Sequence, residues 1–111
     1  MNGKLDKAIA EALGKTIYEW QRITNNTVEW GNDLPGYSTG GNAMLELDRE
    51  MRERGWRLEV RRWSDSHDWV EANYYHEDCL KNYEQAHSEP LARALAAYKV
   101  LTGKRWEGEG E

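Results

Sequence analysis

A loop of hydroxyl-bearing residues and glycines precedes the second predicted helix and could bind an anion. The loop reads Tyr37-Ser38-Thr39-Gly40-Gly41, and the helix predicted after it runs to Gly55. Free N–H groups at a helix N-terminus, together with two hydroxyls, can hold a phosphate. Ser38 or Thr39 could equally be an ordinary helix cap, which is a common role for these residue types. No Walker-type lysine follows the glycines, so the loop does not indicate an ATPase.

Tryptophan and tyrosine side chains suggest a second chemistry, the stacking of a nucleobase. The chain has six Trp and six Tyr but no Phe, a bias that favours half-buried contact patches over a dry interior. Aromatic platforms of this kind occur in nucleotide sites, but the same rings also fill cores and subunit interfaces. Arg61 could pair with a phosphate or form a salt bridge with a carboxylate. The stacking candidates are Trp20, Trp30, Tyr37, Trp63 and Trp69.

Metal binding and nucleophilic catalysis have little support in the sequence. His76, Cys79 and His87 could ligate zinc, but the two close ligand pairs typical of a structural zinc site are missing. Residues 64–68 contain the residue types of a hydrolytic triad, yet neighbours in one turn cannot adopt the geometry of a triad. We therefore predict no metal, no cofactor and no enzymatic activity.

Length and charge restrict the class of protein. With 111 residues, the chain is long enough for one domain with a core of its own. The net charge of -5 argues against binding to duplex nucleic acid. A single cysteine allows no internal disulfide, and we find no apolar run of the length of a signal peptide or membrane span. These features predict a cytoplasmic protein.

Local patterns in the first half of the chain predict two helices and a hairpin. Apolar residues recur at helical spacing over residues 3–13, and Gly14 ends the run. Residues 16–23 read as a strand that turns back at Asn25-Asn26. The helix after the loop has a charged face on which three pairs are expected, Glu46–Arg49, Asp48–Arg52 and Glu50–Arg54.

The second half of the chain predicts a strand pair and a third helix. Residues 56–61 and 69–76 alternate in polarity and form an antiparallel hairpin, since the link between them is too short for a crossover. Residues 77–87 read as irregular. Ser88 caps an alanine-rich helix that ends at Gly103 and is contacted on more than one side. Residues 104–111 form a mobile acidic tail from which Trp106 folds back.

This order predicts a single α+β domain over residues 1–103, in which helices cover an antiparallel sheet. One sheet face would otherwise remain open, and exposed tryptophans there would be a liability in a monomer. Either a helix covers that face, which gives three layers, or a second subunit covers it. The residues expected on this face are Arg57, Arg61, Trp63, Trp69 and Tyr75.

Three segments together resemble small phage-encoded proteins of the phage ABA-sandwich family. They read LPGYSTGGNAMLELDREM in the middle of the chain, IAEALG near its start and EPLARALAAYKVLTG near its end. The tyrosine-serine-threonine loop is the most specific of these features, although an aspartate follows the threonine in many relatives where this chain has Gly40. The resemblance implies a phage or prophage origin and an α/β/α sandwich, but no activity.

Two functional hypotheses follow from these features. In the first, a non-enzymatic phage protein works as a homo-oligomeric sponge in the host cytoplasm and sequesters a nucleotide-derived immune signal. Ser38, Thr39, Gly40, Gly41 and Arg61 would hold the phosphate, and the tryptophans with Tyr37 would stack on the base. In the second, the protein binds a host defence protein, or itself, through its tryptophan-rich surface and takes no small ligand.

Overall fold

The computed structural model describes residues 3–62, 69–76 and 83–107. These residues contain three helices and five strands. Their order confirms the predicted α+β class and the succession helix, hairpin, helix, strand pair, helix. The elements are α1 Gly3–Ala12, β1 Glu19–Thr24, β2 Thr27–Asn32, α2 Gly41–Glu53, β3 Arg57–Arg62, β4 Val70–Tyr75, β5 Glu84–Ala86 and α3 Glu89–Thr102.

The strands form two separate antiparallel sheets. Within the described residues, β1 and β2 form a two-stranded sheet, and β3, β4 and β5 form a three-stranded sheet with β4 at its centre. The predicted pairing of β3 with β4 is confirmed, with Leu58 opposite Tyr74. The prediction that residues 77–87 are irregular is wrong for Glu84–Ala86, which pairs with β4. A strand of three residues is too short to show a period in the sequence.

The alanine-rich helix α3 lies against most of the other elements. It contacts β4 and β5 of the sheet as well as α1 and α2, which confirms that it is touched on more than one side. Ala92, Ala94, Ala96 and Ala97 are all buried because small side chains let neighbouring elements approach closely. Its predicted ends are also confirmed, since Ser88 Oγ accepts from the Leu91 N–H at 3.3 Å and Gly103 has a left-handed φ of 78°.

The core collects one apolar face from each helix and from the sheet. Leu5 and Ile9 of α1 and Leu47 and Met51 of α2 are fully buried there. Tyr74 is buried beside them, and its hydroxyl donates to Asp48 at 3.0 Å. Burial and the Asp48 carboxylate both raise the pKa of Tyr74, so this side chain stays neutral.

The opposite face of the three-stranded sheet is polar and only partly open. Glu71 and Asn73 are buried on this face, whereas Trp69 and Arg61 remain partly exposed. The Glu71 carboxylate accepts from Arg61 at 2.8 Å and from Gln85 at 2.6 Å. Trp63, which we also expected on this face, lies outside the described residues.

Two sequence-based expectations about local contacts have different outcomes. On α2, Arg52 pairs with Asp48 at 2.8 Å as predicted, but Glu50 pairs with Lys15 and Arg54 donates to the Leu13 carbonyl. The expected Glu50–Arg54 pair is therefore wrong, because both groups find partners near the end of α1.

Trp106 does fold back, with its ring edge on Tyr98 at 5.1 Å between ring centroids. Residues 108–111 of the tail lie outside the described part.

Candidate functional site

The hairpin of β1 and β2, residues Glu19–Asn32, is called the arm below. Every residue of β1 is exposed, as is every residue of β2 except the half-buried Gly31. Asn25 and Asn26 have φ values of 48° and 66°, the left-handed pair that a two-residue hairpin turn requires and that asparagine tolerates. The predicted turn is thus confirmed, and it sets the register in which Thr24 faces Thr27 and Gln21 faces Trp30.

One face of the arm is apolar and exposed. The register places Ile23 opposite Val28, and Trp30 follows two residues along on the same face. Their side chains are 69%, 47% and 71% exposed, respectively. We call these three residues the apolar face of the arm. Three large apolar side chains that lie together in solvent are unusual on a monomer and indicate a contact surface.

The other face of the arm is polar and carries one indole. Trp20 lies across Gly31, where a Cβ atom would come within 2.2 Å of the ring. The Arg22 guanidinium lies 5.8 Å from the Trp20 ring centre, and its Nε donates to Glu29 at 2.8 Å. An open concavity of about 470 Å³ lies on this face, lined by Arg22, Thr24, Asn25, Thr27 and Glu29. Guanidinium, hydroxyl and amide groups here can all donate to an anion.

The loop before α2 is occupied by a carboxylate of the protein itself. Asp6 of α1, 4% exposed, accepts from the Ser38 N–H at 2.9 Å and also takes a hydrogen bond from the Ser38 side chain. Thr39 Oγ1 donates to the Gly36 carbonyl at 3.0 Å. Neither hydroxyl caps α2, so the predicted cap is wrong: Gly40 is the N-cap and, among the described residues, no side chain accepts from this helix end.

The two loop glycines have backbone roles. Gly40 has φ 109° and ψ -163°, a conformation open essentially to glycine alone, and a Cβ there would lie 3.2 Å from Pro90 Cγ. Gly41 has φ 69° with open space around it. Tyr37, a predicted stacking residue, is fully buried instead, and burial with the nearby Glu46 carboxylate raises its pKa to about 12.

The predicted site residues therefore do not form one site. The phosphate candidates lie on the α2 loop and on β3, where Arg61 pairs with Glu71 and stacks on Tyr83 at 4.0 Å. Trp20 and Trp30 lie on opposite faces of the arm. Trp69 stacks on His87 with 4.4 Å between ring centroids. Sequence reasoning missed the apolar face, although the Asn25-Asn26 turn fixes a register that places Ile23, Val28 and Trp30 together.

The buried Asp6 carboxylate leads to a prediction about pH. Burial raises its pKa above the ordinary 3.8, against the opposing effect of the Ser38 hydrogen bonds. The folded chain thus binds a proton that the unfolded chain has lost, so this group's contribution to stability falls as pH rises from 3.8 to the folded pKa. Asp6→Asn keeps an acceptor for the Ser38 N–H without the charge. Its free energy of unfolding should equal or exceed that of the wild type at neutral pH, and this advantage should shrink on acidification.

Asp6→Ala is the matched variant, because it removes the acceptor as well as the charge. The Ser38 N–H is partly buried, and leaving it without a partner should cost about 1 kcal/mol, so this variant should be less stable than Asp6→Asn at every pH. Urea unfolding of the three proteins at neutral and mildly acidic pH measures both effects. Equal destabilisation by the two substitutions, with no dependence on pH, would show that the Asp6 carboxylate does not hold the loop.

Comparison with known proteins assigns no family to this geometry. In residues 3–62, 69–76 and 83–107, no helix is long and apolar enough to cross a membrane. Over the same residues, no three His, Cys, Asp or Glu side chains are grouped as metal ligands would be. No family model, curated protein or solved structure matches the chain.

Proposed function

We propose that this chain is a non-enzymatic binding protein that engages a protein surface through the apolar face of its arm. The observation that carries the proposal is the exposure of Ile23, Val28 and Trp30 together on one face of a hairpin that stands apart from the core. This is the protein-binding alternative among the two sequence-based hypotheses.

Energetic reasoning supports a partner for the arm. A two-stranded hairpin is marginally stable on its own in water, and this one draws little stability from burial against the body. Apolar surface exposed to water costs roughly 25 cal/mol per Å² relative to buried surface. Contact with a partner surface removes this cost. Tryptophan is also the residue type most enriched among those that dominate binding energy at interfaces. Trp30 is therefore the expected anchor.

The resemblance to phage ABA-sandwich proteins supplies the biological setting of the proposal. A phage product of this size that acts by binding has the host cytoplasm as its place of action, and a host defence protein or another phage protein as its partner. The chain contributes a net charge of -5, so a partner with a basic rim around an apolar pocket would be steered toward it.

A capture experiment with matched variants tests the proposal. The full chain, Trp30→Ser and Tyr18→Ser are immobilised and exposed to bacterial lysate and to a soluble copy of the chain. Tyr18 is an exposed aromatic residue next to the arm but off its apolar face, so its loss is the control. We expect a protein that is retained by the full chain and by Tyr18→Ser but lost with Trp30→Ser. Retention that does not depend on Trp30, or no retained protein at all, would contradict the proposal.

Sequestration of a nucleotide-derived signal is a second candidate, and the polar face of the arm favours it. Trp20 and Arg22 offer an indole and a guanidinium on the same face as the donor-lined concavity. A base could stack on the indole and a phosphate could take the place of Glu29 on Arg22. The α2 loop is a poorer phosphate site, because the Asp6 carboxylate already occupies the Ser38 N–H and would repel a second anion.

Thermal shifts measured with cyclic dinucleotides and cyclic ADP-ribose species test this second candidate. A ligand at one hundred times its dissociation constant stabilises the folded chain by about 2.7 kcal/mol, so a specific ligand raises the melting temperature. Arg22→Gln should abolish the shift if the arm binds the ligand, whereas Ser38→Ala with Thr39→Ala should abolish it if the α2 loop does. The absence of a shift with every compound would remove the sequestration hypothesis.

A further inference from the structure

The apolar face of the arm suits a second copy of the same arm, a step that rests on the proposed function and names the partner. Two rungs of the hairpin ladder make up this face, and the rung between them, Arg22 with Glu29, points to the opposite face. One rung of the apolar face pairs Gln21 with Trp30, and the other, nearer the turn, pairs Ile23 with Val28. The Trp30 ring thus lies two residues along the strand from Val28 and its partner Ile23, a separation of roughly 7 Å.

This arrangement is complementary to itself under a two-fold rotation. If two arms pack face to face in opposite directions about a point between the rungs, each Trp30 ring covers the Ile23 and Val28 of the other copy. Contacts of this kind are isologous, because the same two rungs of each copy form both halves of the interface. Pairs of aromatic and β-branched side chains are favourable neighbours on strands.

Charge also permits a second copy at this place. The chain carries a net charge of -5, so two copies repel one another over most of their surface. The two rungs of the apolar face contain no charged side chain. The Arg22–Glu29 pair lies on the opposite face and would stay in solvent, whereas Glu19, which pairs with Asn32, lies on the same face as Trp30 but further from the turn. In the antiparallel packing, Glu19 of each copy lies opposite the uncharged Asn25-Asn26 turn of the other, so two acidic chains can approach through the arms without bringing like charges together.

The area of the face indicates a small interface. Given the exposed fractions of Ile23, Val28 and Trp30, each copy would bury on the order of 400 Å². This is about half of the roughly 800 Å² per partner in a standard interface, a size typical of weak and transient complexes. We infer that the protein forms a weak two-fold dimer in which the apolar faces of two arms pack against each other, with Trp30 of each copy over Ile23 and Val28 of the other.

Sedimentation velocity over a wide concentration range tests this dimer. The full chain should pass reversibly from monomer to dimer as its concentration rises. Trp30→Ser should weaken the association by about 1,000-fold, because each two-fold dimer then loses two interface anchors of about 2 kcal/mol each. Ile23→Thr with Val28→Thr should also weaken it, and this variant keeps β-branched residues so that the strands persist. Tyr18→Ser should associate like the full chain.

The outcomes separate this inference from the proposed function. A chain that stays monomeric at every concentration overturns the dimer, as does a dimer that survives both apolar-face variants, which would point to the open strand edges instead. In either case a protein captured from lysate only in the presence of Trp30 would still uphold the proposed function. Loss of association in both apolar-face variants, with Tyr18→Ser unaffected, supports the dimer.

Discussion

Replacing Ile9 with alanine should lower the free energy of unfolding by about 2–5 kcal/mol, whereas the same change at Ile23 should alter it by less than about 0.5 kcal/mol. Ile9 is fully buried between α1 and its neighbours, so its truncation leaves a cavity. Ile23 is 69% exposed on the arm, so its truncation removes few contacts. Urea unfolding at a concentration low enough to keep the chain monomeric measures both values.

This comparison is informative because the residue type is the same at both positions. A difference in intrinsic strand or helix preference is far smaller than the cost of a core cavity. A large loss of stability on Ile23→Ala in the monomer would mean that the arm packs on the body. Its apolar side chains would then belong to the core instead of a binding surface.

Gly40→Ala should destabilise the chain by about 3 kcal/mol, and by clearly more than Gly41→Ala does. At Gly40 a side chain meets both an unfavourable backbone conformation and a close contact, since the added Cβ would lie 3.2 Å from Pro90 Cγ. At Gly41 the left-handed φ of 69° is the only obstacle, and it costs roughly 1–2 kcal/mol. Thermal and urea unfolding of both variants give the comparison.

The pair also tests how the α2 loop is built. Gly40 lies where the start of α2 approaches the first turn of α3, so a bulkier residue should loosen both helices. Equal effects of the two substitutions would mean that the approach to Pro90 contributes nothing and that only backbone strain matters.

Elements set by nearby residues could be predicted from the sequence. The period of apolar residues, the Ser88 cap and the left-handed Gly103 all act within a few positions, and each has the predicted role. The turn at Asn25-Asn26 belongs to the same group, since two residues that tolerate positive φ determine it. β5 could not be predicted, because three residues carry no period and only pairing with β4 makes them a strand.

The candidate site depended on contacts that no local pattern records. Asp6 and Ser38 are 32 positions apart, and their hydrogen bond gives the α2 loop a structural role that no local pattern predicts. The sequence predicts that Tyr37 stacks on a ligand, but its side chain is buried. Six tryptophans indicated contact patches, but composition alone could not tell which rings face the core and which face solvent. Phage origin and the capture of a nucleotide signal stay proposals.

The central claim is that the apolar face of the arm is open in the free chain and covered in a complex. Labelling with 5-fluorotryptophan and ¹⁹F NMR with a soluble nitroxide measure this directly, with Trp30→Phe used to assign the Trp30 signal. Trp106 is the internal reference, because its indole nitrogen is buried. In dilute monomer, the Trp30 signal should broaden far more than that of Trp106, and it should become protected when excess unlabelled chain or a captured partner is added. A Trp30 signal as protected as Trp106 in the dilute monomer, or one that stays open under every condition, would contradict the account.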